Sequence, residues 1–221
     1  MIKDAIKHST DPATACMPGF KAANRVHLTL WMGIYSAIGF YAEKKEEKTM
    51  ERGKLNFMLN EVKLFLNFNT TDLMRLKKIH PTIKPLIPQI VGFVLKRIGG
   101  NPKLVSVIEN YPLPIEAART VFENWLDQIF TSNYDADFAR RTYEIAEGHE
   151  KAGINPKYVT MTMGTFILAI DFVVSKMVAQ KETLYAFSLS IKKAMLLNLT
   201  LMTQSYEEIK RGKILQTLEH V

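Results

Sequence analysis

Apolar residues recur every three or four positions along most of this chain, the spacing that places them on one face of a helix. The first such run is Val26 to Ala42, where Leu30, Ile34, Ile38 and Tyr41 share a face and the charged segment Glu43–Lys48 follows. Seventeen residues that include His27, Thr29, Ser36 and two glycines fall at the short end for a bilayer span, so this run predicts a helix packed on a core. Leu55 to Leu66 reads as a second helix, and Asn69-Thr70-Thr71-Asp72 offers caps for a third through Leu73, Leu76 and Ile79. Pro81, Pro85 and Pro88 then break or restart the chain. Ile87, Ile90, Val91, Val94, Leu95 and Ile98 form an amphipathic helix, stopped by Gly99-Gly100 and Asn101-Pro102.

A turn-rich stretch ends at Pro114, and a helix follows through Val121, Phe122, Trp125, Leu126, Ile129 and Phe130. Phe138, Thr142, Ile145, Ala146, His149 and Ala152 share the face of the next helix, with Asp135-Ala136-Asp137 at its start as a cap and first-turn charge. Gly153 supplies a left-handed stop, and Asn155-Pro156 starts a long apolar helix through Phe166, Ile167, Ile170, Phe172 and Val174. The last helix is expected from Leu184 to about Arg211. No strand pair with hairpin turn chemistry occurs. The fold class is all-α.

Composition narrows the function. Hydrophobic residues at 47% and charged residues at 23% over 221 positions are ordinary for a soluble globular chain. The net charge of +7 is spread over helix faces, with no helix-turn-helix, zinc finger or aromatic-basic stripe to suggest nucleic acid. Cys16 is the one cysteine, which excludes an internal disulfide and fits a reducing, cytoplasmic setting. Residues 1–25 carry no apolar core segment of the kind that a signal peptide needs. The chain has no phosphate-binding glycine loop, no His-Glu-x-x-His and no nucleophile elbow, so no enzymatic constellation is predicted.

One imidazole stands out. His149 projects from an otherwise apolar, small-residue face near a helix end. On that pattern alone it is either a core histidine bonded to a carbonyl or a metal ligand. The other histidines, His8, His27, His80 and His220, sit at no helical spacing that would pair them with it.

The pattern Ile-Ala-x-x-His-x-x-x-Gly-Ile-x-Pro-x-Tyr, residues 145–158, resembles the proximal-histidine segment of globin-coupled sensors and protoglobins. Phe65-Leu66, Phe68, Asp72-Leu73, Leu76 and Pro81 look like the opening of a sensor globin, and Asn124-Trp125-Leu126 through Phe138 is also similar. The resemblance covers about residues 55–211 and implies a globin-like fold with additional N-terminal helices: an extension over residues 1–54 and a sensor-globin domain over 55–221.

The resemblance implies non-covalent haem b, with His149 as the iron ligand and Phe93, Val94, Leu95, Ala118, Val121, Phe122, Trp125, Ile145 and Tyr158 around the cofactor. It further implies a diatomic gas as ligand, a separate signalling partner and a homodimer through the last two helices. For that dimer Phe166, Ile170 and Val174 with Leu189, Leu196 and Leu199 supply surplus apolar surface. Two positions depart from the family pattern. Sensor globins carry Phe-Tyr where this chain has Phe93-Val94-Leu95, and often Trp-Tyr where it has Tyr158-Val159. A haem-free globin-fold interaction module is the alternative reading.

Overall fold

The computed structural model describes residues 52–109 and 115–219, so the apolar run at 26–42 and nearly all of the extension lie outside the described residues. Helix α1 (Arg52–Phe65) buries Leu55, Met58, Leu59 and Val62 and leaves Phe57, Leu64 and Phe65 exposed. It ends on Asn67 at φ 49°, with Phe68 N–H donating to the Lys63 carbonyl at 2.8 Å and Asn67 N–H to that of Leu64 at 3.1 Å. Asparagine tolerates the left-handed region better than most residues, so it can close a helix as glycine does.

Helix α2 (Thr70–Ile83) starts at once on a reciprocal cap. The Asn69 side chain accepts from Thr71 N–H at 2.9 Å, and the Asp72 carboxylate accepts from Asn69 N–H at 3.1 Å. Pro81 was expected to break the chain but lies inside α2, which continues to Ile83 and passes into the short 3-10 turn Lys84–Leu86. The buried Ile79 and Ile83 on either side keep that last turn on the core, and a proline so near the end forfeits little helix.

Pro88 opens α3 (Ile87–Gly99), which buries the six apolar residues that its periodicity predicts. A short helix, α4 (Pro102–Glu109), occupies part of the stretch expected to be turns, with the Asn101 side chain accepting from Lys103 N–H at 3.1 Å. Then follow α5 (Ile115–Thr131), α6 (Ala136–Lys151), α7 (Pro156–Met177) and α8 (Lys181–Glu219). The last is longer at both ends than expected. Among the described residues there is no strand.

Two layers of three helices make the body. Helix α5 packs on α2 and α3; α6 and α7 pack on α8; and α2 against α8 and α3 against α7 join the layers. Helix α1 lies along α6 and α8.

A buried carboxylate ties the layers together. Asp72 accepts from the Ser190 hydroxyl at 2.7 Å and the Lys193 ammonium at 3.1 Å, and Lys193 also donates to the Asn67 carbonyl at 2.7 Å. Burial alone would raise the Asp72 pKa. The hydrogen bonds from Ser190, Asn69 N–H and Lys193, with the Lys193 charge, outweigh it and hold the carboxyl below its ordinary range.

The residues expected to supply dimer surface separate into two groups. Phe166, Ile170 and Val174 are buried in the core of this chain, facing inward from α7, so they are not available to a partner. The outward side of α7 carries Met161, Leu168 and Phe172 instead, and α8 exposes Leu196. By length and composition α7 could cross a membrane, yet Val159, Met163, Phe166, Ile170 and Val174 on its inward side are buried in the core.

Removing Asp72 strands two partners in the interior. Asp72→Ala is expected to lower unfolding free energy in urea by about 3 kcal/mol at pH 7. A depressed folded pKa contributes stability above the unfolded carboxyl value near 4, lost as pH falls through the folded value. The gap between Asp72→Asn and the parent chain should therefore narrow as pH is lowered below about 4.

Candidate functional site

The corner between α5 and α6 is closed by Tyr134. Its backbone lies at φ 53°, a strained region for a side-chain-bearing residue, and the ring is fully buried between Phe68 at 4.8 Å and Phe138 at 4.4 Å. The Tyr134 hydroxyl donates to the Ile129 carbonyl at 2.6 Å, while its own carbonyl accepts from the Lys63 ammonium. Burial drives the phenol pKa far up, so it stays a donor. Lys77 donates to the Asn133 side chain at 3.0 Å from the α2 side, and Asp135 caps α6 by accepting from Phe138 N–H at 3.0 Å. This last contact is the capping role expected for Asp135.

From that corner α5 and α6 run to different partners, α5 to α2 and α3 and α6 to α1 and α8. Helix α5 buries Leu126, Ile129 and Phe130 completely, but Ala118, Val121, Phe122 and Trp125 are only partly covered. Phe122 and Trp125 lean on Phe166 of α7, with ring centroids 5.6 and 5.0 Å away. Val94 and Leu95 of α3 are buried. Phe93 is not brought to this group: it is 44% exposed, with the Arg97 guanidinium 5.4 Å above its ring. Phe166 was missed as a wall of the site, because its helix is apolar on nearly every side.

On α6 the face Phe138, Ala139, Thr142 and Ala146 is buried, and His149 lies one turn further on. Ile145 is at the margin, 37% exposed. Three residues after His149 the helix closes on a two-bond C-cap. Gly153 sits at φ 69°, its N–H donates to the Glu150 carbonyl at 2.9 Å, and Ile154 N–H donates to the carbonyl of His149 itself at 2.9 Å. The Tyr206 hydroxyl donates to the Ile154 carbonyl at 3.1 Å and Lys213 pairs with Glu150 at 2.5 Å, so α8 grips this turn.

The His149 imidazole is unusual in one respect. Its Nδ1 is buried with no hydrogen-bond partner among the described residues. Burial lowers its pKa from 6.5 to about 4, which outweighs the attraction of a helix C-terminus for a cation. At neutral pH the ring is uncharged and retains a nitrogen lone pair with no proton to displace. Tyr158 is partly buried beside the Lys157 ammonium, 5.0 Å from its ring centroid, and does not hold the imidazole. Among the described residues no group of three or more His, Cys, Asp or Glu side chains could hold a bare metal ion. One neutral nitrogen within apolar packing matches a metal that brings its other ligands with it, as a porphyrin does.

The sequence matches the protoglobin family over residues 56–211. The chain belongs to the protoglobin family. In structure this protoglobin is similar to the globin domain of the Geobacter sulfurreducens globin-coupled sensor, with a TM-score of 0.62 and 19% identity over 66% of this chain and 96% of that one. No curated protein matches it by sequence. The globin-like all-α architecture expected from the sequence is thus established, and globins as a class house a haem.

Nitrogen NMR of the histidines in the haem-free protein checks the site's electrostatics. His149 is expected to remain neutral at pH 5.5, where an exposed histidine is mostly protonated. A charged ring at that pH would place it in water.

Proposed function

We propose that this protoglobin is a haem-binding sensor, with non-covalent haem b held by His149 between α5 and α6 and a diatomic gas as its ligand. The observation that carries the reading is the neutral imidazole on the small-residue face of α6, its Nδ1 buried without a partner, together with the partly covered apolar side chains of α5. Val94, Leu95, Val121, Phe122, Trp125 and Ile145 would bound the porphyrin. Haem iron, when bound, supplies one open coordination position for the gas.

The packing of Phe122 and Trp125 on Phe166 favours a second reading, in which side chains fill the space and the fold acts as a haem-free interaction module. Absorption spectroscopy separates the two. A Soret band in the parent protein, lost in His149→Ala while helical circular dichroism persists, is the expected result. An unchanged spectrum in the variant would remove His149 from the site.

Gas preference follows from Val94 and Leu95. Neither offers a hydroxyl at the family's tyrosine position, and a hydrogen bond to a charged acceptor is worth about 1.5–3 kcal/mol. Dioxygen draws partial negative charge from iron and needs such a donor more than carbon monoxide does. The loaded protein is therefore expected to bind carbon monoxide readily and to hold dioxygen poorly. Of Val94→Tyr and Leu95→Tyr, made separately, one should slow dioxygen loss by roughly tenfold or more. Slow dioxygen release from the parent would overturn this.

The exposed Met161, Leu168 and Phe172 of α7, with Leu196 of α8, make a face for a second copy of the chain. Leu168 is 71% and Phe172 64% exposed, so a charge there spares the core. Phe172→Glu combined with Leu168→Glu should convert a dimer to a monomer in light scattering. A parent chain already monomeric at micromolar concentration would refute the interface. A cytoplasmic setting and a separate signalling partner complete the reading.

A further inference from the structure

His149 needs a partner for Nδ1, and the register of α6 against α8 identifies one. The Asn198 amide donates to the Thr142 hydroxyl at 3.4 Å, which sets these two residues opposite each other in the interior. The two helices advance in the same direction, since the Tyr206 hydroxyl reaches Ile154 and Lys213 reaches Glu150 further along. Seven residues are two helical turns and return to nearly the same face. Seven beyond Thr142 is His149; seven beyond Asn198 is Ser205.

Ser205 is 2% exposed, and its hydroxyl proton goes to the Leu201 carbonyl at 2.7 Å. Its oxygen therefore keeps acceptor capacity that the helix does not use. The Tyr206 hydroxyl, Glu208 and Glu150 are occupied, on Ile154, on Lys54 and Arg211, and on Lys213. Two further buried acceptors on α8 lack partners: Asn198 Oδ1 lies two turns back, level with Thr142, and Gln204 Oε1 belongs to a residue about 100° off the face that Asn198 and Ser205 share. One turn back on α6, Ile145 and Ala146 carry no polar side-chain atom.

We propose that Ser205 is the positioning residue for the axial histidine, its hydroxyl oxygen accepting the Nδ1–H of His149 in the haem-loaded protein. The assignment rests on the haem reading above. Such a bond fixes the tautomer that leaves Nε2 free for iron, sets the ring's orientation and raises its basicity. It also couples the cofactor ligand directly to α8.

The test compares the full-length parent with Ser205→Ala and Ser205→Thr, each loaded with haem, ferrous and free of gas. Resonance Raman reads the iron–histidine stretch, and transfer to an excess of a haem-scavenging apoprotein reads haem loss. Ser205→Ala is expected to lower the stretching frequency and to release haem about tenfold faster, with Ser205→Thr restoring both. An unchanged frequency in Ser205→Ala overturns the assignment, even if the variant is less stable, because a packing role would leave the iron–histidine band in place. A parent chain with no Soret band would instead fail the haem reading, and the Ser205 role with it. A parent Soret band combined with a silent Ser205→Ala condemns the second alone.

Discussion

Everything at the candidate site depends on two consecutive helices being kept from packing on each other. A four-residue corner joins α5 to α6, and short connections usually let neighbouring helices collapse together. Here each helix is claimed by other partners, and the corner itself is pinned from two sides, by Lys63 on the Tyr134 carbonyl and by Lys77 on Asn133. The positive φ of Tyr134 is tolerated because its ring and hydroxyl are both satisfied inside the core. Separation of the two walls is thus a property of the whole two-layer body.

The polar interior follows the same division of labour. Asp72, Ser190 and Lys193 hold α8 to α2 at one end of the body, while Tyr206 and Lys213 hold it to the turn after His149. Between these anchors the packing is almost entirely apolar, so buried groups without partners stand out as sites of function rather than of support. His149 is the one among them that lies on the segment resembling the proximal-histidine segment of sensor globins.

What could be read from the sequence was local chemistry. Gly153 and Asn155-Pro156 act within one turn of where they stand, so the end of α6 and the start of α7 were legible from residue type alone. The dipeptide Asn101-Pro102 carries the same signal, yet it was read as a stop because two glycines precede it; it caps α4 instead. The faces of α7 were not legible. With apolar residues on nearly every side, periodicity cannot say that Phe166, Ile170 and Val174 turn inward while Leu168 and Phe172 turn out; only the neighbours of α7 decide it. Phe93 differs for a related reason: it adjoins Val94 in an apolar run, but it faces solvent, with only the Arg97 guanidinium, one turn on, over its ring. The missing partner of His149 Nδ1 had no signal in the sequence, being a matter of which atoms meet.

Helix α8 has one more property that comes from its length. Thirty-nine residues at about 1.5 Å each make a rod of roughly 60 Å, and the side chains after Ile209 are exposed through residue 215. The buried part is the fulcrum and the remainder an arm. A rod so stiff cannot yield in its middle alone, so a tilt of a few degrees near Ser205 becomes a displacement on the order of an ångström at Glu219. Ligation chemistry at a single imidazole would in that way be read out as mechanical travel, a full helical turn or more away from the core.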